Sequence, residues 1–237
     1  MWISRAPSGM TIRVMWQLYQ FPLCPFSRKI RLLMGEKNVA YDLVREDPWQ
    51  GKDAFLNLNP AGRTPVLVNT AKSITLADSR AIGEFLEETV ETAPMINGTA
   101  ANRAEIRRLT ALFDENFYAD VTAPLMLERM KKRIIYKQPP DSGALRQAMR
   151  MAHGHLDYMD WLIDNRPWLA GATMSMADLA AAAQISVADY LGGIDWKGHE
   201  QTRGWYAVFK SRPSFRPLLS ERMDVINPPA HYSQVDA

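Results

Sequence analysis

Phe21-Pro22-Leu23-Cys24-Pro25-Phe26-Ser27-Arg28-Lys29 decides the fold. An apolar run, Val14–Tyr19, leads into it, and an amphipathic run, Pro25–Glu36, leads out. Valine, methionine, tryptophan, leucine and tyrosine crowd the first run, which predicts a strand. In the second, Phe26, Ile30, Leu33 and Met34 recur at helical spacing, which assigns Arg28, Lys29 and Arg31 to the solvent side. Pro25 suits the first turn of a helix, where the amide it lacks has no partner anyway. Cys24, the only cysteine, is thereby expected at a helix N-terminus, a setting that suits nucleophilic sulfur chemistry.

The 237 residues are 47% hydrophobic, enough for a core in one large or two small domains. A formal net charge of +2 gives no reason to expect nucleic acid or a membrane as the main partner. A single cysteine excludes an internal disulfide framework and fits a reducing, cytosolic setting. No apolar stretch approaches the roughly 20 residues of a membrane span. Residues 1–10 lack the apolar centre of a signal peptide and read as a flexible leader, or as sequence ahead of a start at Met10.

Beyond Glu36, Val39–Arg45 is β-rich, Asp47–Gly51 a loop and Lys52–Leu58 a short helix that stops before Asn59-Pro60. Thr64–Val68 reads as a strand opening on Pro65, either at an edge or with a special peptide bond. A polar turn at Asn69–Lys72 joins it to Ser73–Leu76, and Asp78–Thr89 is helical. The order strand, helix, strand, helix, strand, strand, helix predicts a small mixed sheet with helices on its faces. Past Val90–Ala101 the strands disappear. A long helix over Ala101–Arg133 is expected to bend near Pro124, and Ser142–Asn165 is a clean amphipathic helix. Ser175 and Asp178 form a capping box before an Ala-rich helix that reaches about Leu191 and is apolar nearly all round, hence central and buried. Helices near His199–Ser211 and Pro213–Met223 precede an irregular tail. The divisions expected are a leader at 1–13, an α/β domain at 14–89, a linker at 90–101, an all-helical domain at 102–223 and a tail at 224–237.

A thioredoxin-like α/β half followed by an all-α half resembles the glutathione-transferase fold. Cys24-Pro25-Phe26-Ser27 sits where that fold carries its active-site turn. Asn59-Pro60-Ala61-Gly62-Arg63-Thr64-Pro65-Val66-Leu67 resembles its segment with a cis proline, and Asp78-Ser79-Arg80-Ala81-Ile82 the helix start that holds the γ-glutamyl end of glutathione. One branch is closer still. Asp47-Pro48-Trp49, Ala104–Leu109, Ser175–Ala182, Asp189-Tyr190-Leu191-Gly192 with Ile194-Asp195-Trp196, Lys210–Leu219 and the tail His231-Tyr232 with Asp236 resemble the FtsZ-localized protein A family. That resemblance implies a cytoplasmic homodimer that acts at the division site, binds FtsZ filaments, favours their curvature and promotes constriction.

The candidate site residues follow. Cys24 can attack a disulfide or form a mixed disulfide with glutathione, and Ser27, in place of a second cysteine, limits the site to one-thiol chemistry. Ser27 or Tyr19 can alternatively donate to a bound glutathione thiolate, and each also has a plain structural role. A cis Pro65 would turn the Thr64–Val66 backbone outward, leaving Val66 main-chain groups to pair with the cysteinyl part of glutathione. Ser79 can take a carboxylate where Asp78 otherwise only caps, and Arg63 can add positive charge. Trp49, Tyr232 and Asp236 are candidates for partner binding, with Trp49 equally suited to internal packing and the tail to packing on the body or disorder. The basic run Arg129–Arg133 suits an acidic partner or an ordinary solvated face. His153 and His155 point to different sides of a helix, so no metal site is expected.

Overall fold

The computed structural model describes residues 15–235. Val14, the 1–13 leader and Asp236 lie outside the described residues. Strand β1 (Gln17–Gln20) passes through Cys24 into helix α1 (Pro25–Glu36), which crosses over to β2 (Asp42–Arg45). Helix α2 (Asp53–Leu58), β3 (Val66–Asn69), β4 (Ile74–Ala77) and α3 (Ser79–Thr89) complete this half. The sheet order is β2-β1-β3-β4. β1 runs parallel to β2 and antiparallel to β3, and β3 and β4 form a hairpin. Period-two alternation splits the sheet's two faces. Leu18 and Leu67, paired across β1 and β3, join the main core. Tyr19, Val66 and Val68 pack on the opposite face with Phe55 of α2.

The second half is all helical. Helix α4 (Ala100–Ala111) runs on unbroken through Leu112–Thr122, α5 (Ala123–Leu125) and Met126–Tyr136. Leu112–Thr122 and Met126–Tyr136 are wound in the wider π register. Pro124, where a bend is expected, sits in the short α-helical turn between them; it lacks the amide that would continue either ladder. Helices α6 (Ser142–Asp164), α7 (Met176–Tyr190), α8 (Glu200–Ser211) and α9 (Arg216–Ser220) follow. Every residue of α7 is buried, as its all-round apolar composition predicts. It packs on α1 and on the long helix.

The capping box at its start forms as expected. Asp178 Oδ2 accepts from the Ser175 amide (2.9 Å) and hydroxyl (2.8 Å), and Oδ1 from the Leu169 amide (2.9 Å) and Trp205 Nε1 (3.3 Å). Burial pushes the Asp178 carboxyl up, and these donors oppose it.

One expectation fails. Arg28, Lys29 and Arg31 are all buried, not solvated. Helix α1 is covered on both sides, by the rest of its own half and by α7 with the C-terminal segment. Each cation therefore needs a partner inside the protein. Arg28 donates to the Pro22 carbonyl (2.8 Å), Ser186 Oγ (2.9 Å) and Tyr232 Oη (3.0 Å). Arg31 pairs with Glu221 at 2.6 Å, and Lys29 with Asp114. These contacts join the two halves by way of α1.

Candidate functional site

Cys24 is the N-cap of α1, held by its own amide to the Phe21 carbonyl at 2.9 Å. Its thiol donates to the Thr64 carbonyl at 3.4 Å. That contact crosses to the Thr64-Pro65 peptide bond, which is cis, as the sequence reading allows. Cys24 is 8% exposed and lies on the wall of a cleft of about 920 Å³ between the two halves. Arg63, Thr64, Pro65, Asp78 and Ser79 line the same cleft. Sulfur, cis proline and helix start are thus brought together from three separate stretches.

Asp78 adopts φ +77° and caps α3, its Oδ1 accepting from the Arg80 amide at 2.7 Å. An aspartate on the positive-φ side is strained, and the strain sits at the cleft wall. Ser79 opens the helix beside it, buried but on the cleft surface.

Other candidates are placed differently. Ser27 is fully buried and does not line the cleft, so a ligand there does not meet its hydroxyl. The cause is the covering of α1 on both sides. Tyr19 turns to the far face of the sheet against Phe55, ring centroids 6.2 Å apart. Val66 opens β3 between Tyr19 of β1 and Ala77 of β4 and does not reach the cleft; Thr64 is the nearer residue. Tyr232, expected as a partner contact, is wholly buried, accepting from Arg28 and donating to the Leu218 carbonyl at 3.2 Å. The tail packs on the body, so Tyr232 shapes that surface from beneath. Trp49 is half-buried on the cleft wall, edge-on to Phe21 with ring centroids 4.9 Å apart, so part of its ring serves internal packing. The basic run is not a uniform face: Arg129 donates to the Leu191 and Gly192 carbonyls, Met130 is buried, Lys132 pairs with Glu128, and Lys131 reaches the cleft.

The sequence reading missed the opposite wall. The long helix presents Asp114, Tyr118, Met126 and Met130 to the cleft. Tyr118 packs with its ring tilted against that of Phe26, centroids 4.8 Å apart. Burial pushes its phenol up, the Cys24 sulfur adds to this, and Arg63 opposes it; all three residues line the one cleft. The signal was present as a polar and aromatic stripe, Asp114 and Tyr118, beside the apolar stripe Phe113, Phe117 and Val121. Periodicity identifies the stripe but not what it faces.

The glutathione S-transferase N-terminal domain family matches residues 23–89, the span that carries Cys24, Pro65 and Ser79. A solved glutathione S-transferase from Rhodospirillum rubrum F11 superposes with a TM-score of 0.91 at 45% identity, covering 94% of this chain and 100% of that one. The FtsZ-localized protein A of Caulobacter vibrioides is 42% identical over 221 residues, 92% of this chain and 97% of that protein. The chain belongs to the FtsZ-localized protein A family. The solved structure of FzlA from C. crescentus agrees, with a TM-score of 0.91 at 41% identity over 94% of this chain and 100% of the other. This member of the FtsZ-localized protein A family has the glutathione-transferase fold, a thioredoxin-like half and an all-α half. Glutathione S-transferase 2 of Saccharomyces cerevisiae, 26% identical over 212 residues, covers 86% of this chain and 90% of its own length.

Proposed function

We propose that this chain is a cell-division protein that binds FtsZ filaments, favours their curvature and promotes constriction. The observation that carries the reading is the likeness to FtsZ-localized protein A, which spans both halves and 97% of that relative. We further propose that it works in the cytoplasm at the division site as a homodimer. Among the described residues no helix is long and apolar enough to cross a membrane, which is compatible with that setting. Trp49 on the cleft wall and Asp236 are proposed contacts for the filament, and Tyr232 anchors the described part of the tail to the body. Co-pelleting with FtsZ polymers tests the reading. The expected result is co-sedimentation that saturates with protein concentration; pelleting no greater than that of a control transferase overturns it.

A second reading rests on the cleft itself. It is open, and Cys24, Thr64, cis Pro65, Asp78, Ser79 and Arg63 stand on its wall. These residues suit glutathione, with Ser79 and the α3 amides for a carboxylate and Cys24 beside the thiol. A glutathione-dependent thiol transferase would use Cys24 to form and release a mixed disulfide. Calorimetric titration with glutathione tests this. Wild-type heats are expected to saturate, and Ser79→Ala to weaken them; heats equal to buffer dilution remove the reading.

A further inference from the structure

Away from the cleft, a second cluster of polar side chains joins α6 to the start of α8. His153, Asp157 and Asp160 lie in steps of four and three, on one face of α6. His199 is the N-cap residue of α8. Its imidazole is 4% exposed and sits between the α6 side chains. His199 Nε2 meets His153 Nδ1 at 2.8 Å. Its Nδ1 meets Asp160 Oδ2 at 2.7 Å, and Asp157 Oδ1 lies 3.8 Å from the same nitrogen.

Helix capping explains part of this. Asp160 Oδ1 accepts from the Thr202 amide (2.8 Å) and Oγ1 (2.7 Å), which ties down the first turn of α8. It does not explain Asp157. That carboxylate is 75% exposed and its Oδ1 stands 3.8 Å from a nitrogen already engaged by Asp160, beyond hydrogen-bond range but within reach of a shared ion. A neutral imidazole has one N–H to give, so two carboxylates converge on at most one donor. A cation at that point satisfies the surplus of acceptors.

We propose that His199 Nδ1, Asp157 and Asp160 form a site for a divalent transition-metal ion, with Zn²⁺ the best match. The three donor atoms lie within 4.8 Å of one another. A tetrahedral zinc site places its ligand atoms about 3.3 Å apart, between the 2.7 Å and 3.8 Å separations seen here. Side-chain adjustment within an ångström or so closes the site, and water completes the fourth position. Imidazole with carboxylates suits zinc better than calcium or magnesium, which prefer all-oxygen shells.

His153 is the positioning residue. With both rings neutral, His199 Nδ1–H donates to Asp160 and His153 Nδ1–H donates to His199 Nε2. When metal takes His199 Nδ1, the tautomers exchange: His199 Nε2–H then donates to His153 Nδ1, whose own proton sits on Nε2. The number of protons is unchanged, and the 2.8 Å bond survives with its direction reversed. This is the outer-shell hydrogen bond that fixes a metal-binding histidine. The histidine spacing on α6 alone shows no site, because the decisive ligand comes from α8.

The test uses tag-free, full-length protein and two probes, Co²⁺ and Zn²⁺. Co²⁺ is expected to give visible d–d bands that saturate at one ion per chain, and Zn²⁺ to quench them and raise the thermal midpoint. Asp157→Asn touches neither the cap nor the core, so its metal-free midpoint should match wild type while its Zn²⁺ affinity falls about ten-fold or more. His153→Gln should weaken binding about ten-fold. Cys24→Ser should bind as wild type, which separates this site from the lone thiol. Absence of d–d bands, or an Asp157→Asn protein that binds Zn²⁺ as tightly as wild type, overturns the proposal.

Discussion

Replacing Lys29 by methionine probes the ion pair that ties α1 to the long helix. Methionine keeps much of the length and the apolar stem but removes the charge. The Lys29 side chain is 2% exposed and that of Asp114 is 3% exposed, so the change strands a carboxylate with little water around it. Breaking such a pair from one side costs about 3–5 kcal/mol. Asp114 touches the cleft wall, where solvent can approach, which sets the expected cost near the lower end, about 3 kcal/mol. With a urea m-value of about 3 kcal/mol/M, the unfolding midpoint should fall by about 1 M. Adding Asp114→Leu removes the second charge together with its desolvation penalty. The double variant should then unfold within about 1 kcal/mol of wild type. The four proteins form a double-mutant cycle, with an expected coupling of about 2 kcal/mol or more. A Lys29→Met midpoint that barely moves at constant m, or a double variant no more stable than the single one, refutes the assignment of a buried pair between the halves.

Three further outcomes can be checked by unfolding experiments. Burial alone would raise the Glu36 carboxyl, but Arg212, bidentate at 2.7 and 2.6 Å, and Ser214 hold it below the usual carboxylate range. Its stabilisation is therefore full above the unfolded value, about pH 4.3, and is lost as pH falls through the lower folded value. Glu36→Gln should cost about 1–2 kcal/mol at pH 7, and the gap to wild type should close in acid; a gap independent of pH contradicts this. A Cβ at Gly193 would clash with Leu125 Cδ1, a fully buried side chain, so Gly193→Ala should destabilise by about 1–3 kcal/mol in thermal melts. Asp178→Ala leaves the Leu169 and Ser175 amides, the Ser175 hydroxyl and the Trp205 indole without their acceptor; it should cost more than about 3 kcal/mol, against about 1–2 for Ser175→Ala, measured by urea titration.

Features that depend on a few neighbouring residues were legible in the sequence. Pro25 starts α1, the Ser175 and Asp178 box starts α7, and runs of β-favouring residues mark the strands. Cys24, Pro65 and Ser79 were also legible as one site, because their local motifs resemble a known fold whose topology brings them together. The polar cluster around His199 was not, since it joins α6 to α8 across about forty residues of chain, 46 from His153 and 39 from Asp160.

What the chain determines by itself is therefore local: helix starts, strand positions, the all-round apolar character of α7 and the lone sulfur at a helix cap. Only the tertiary structure decided which polar side chains are buried. Arg28 finds Tyr232 across 204 residues and Lys29 finds Asp114 across 85. A helix covered on both sides places its charged stripe against protein instead of water, and periodicity carries no record of that second cover. The same reason hid Tyr118 from the sequence and moved Tyr232 from the surface to the core. Burial depends on what packs from a distance, and distant packing leaves no local spacing to read.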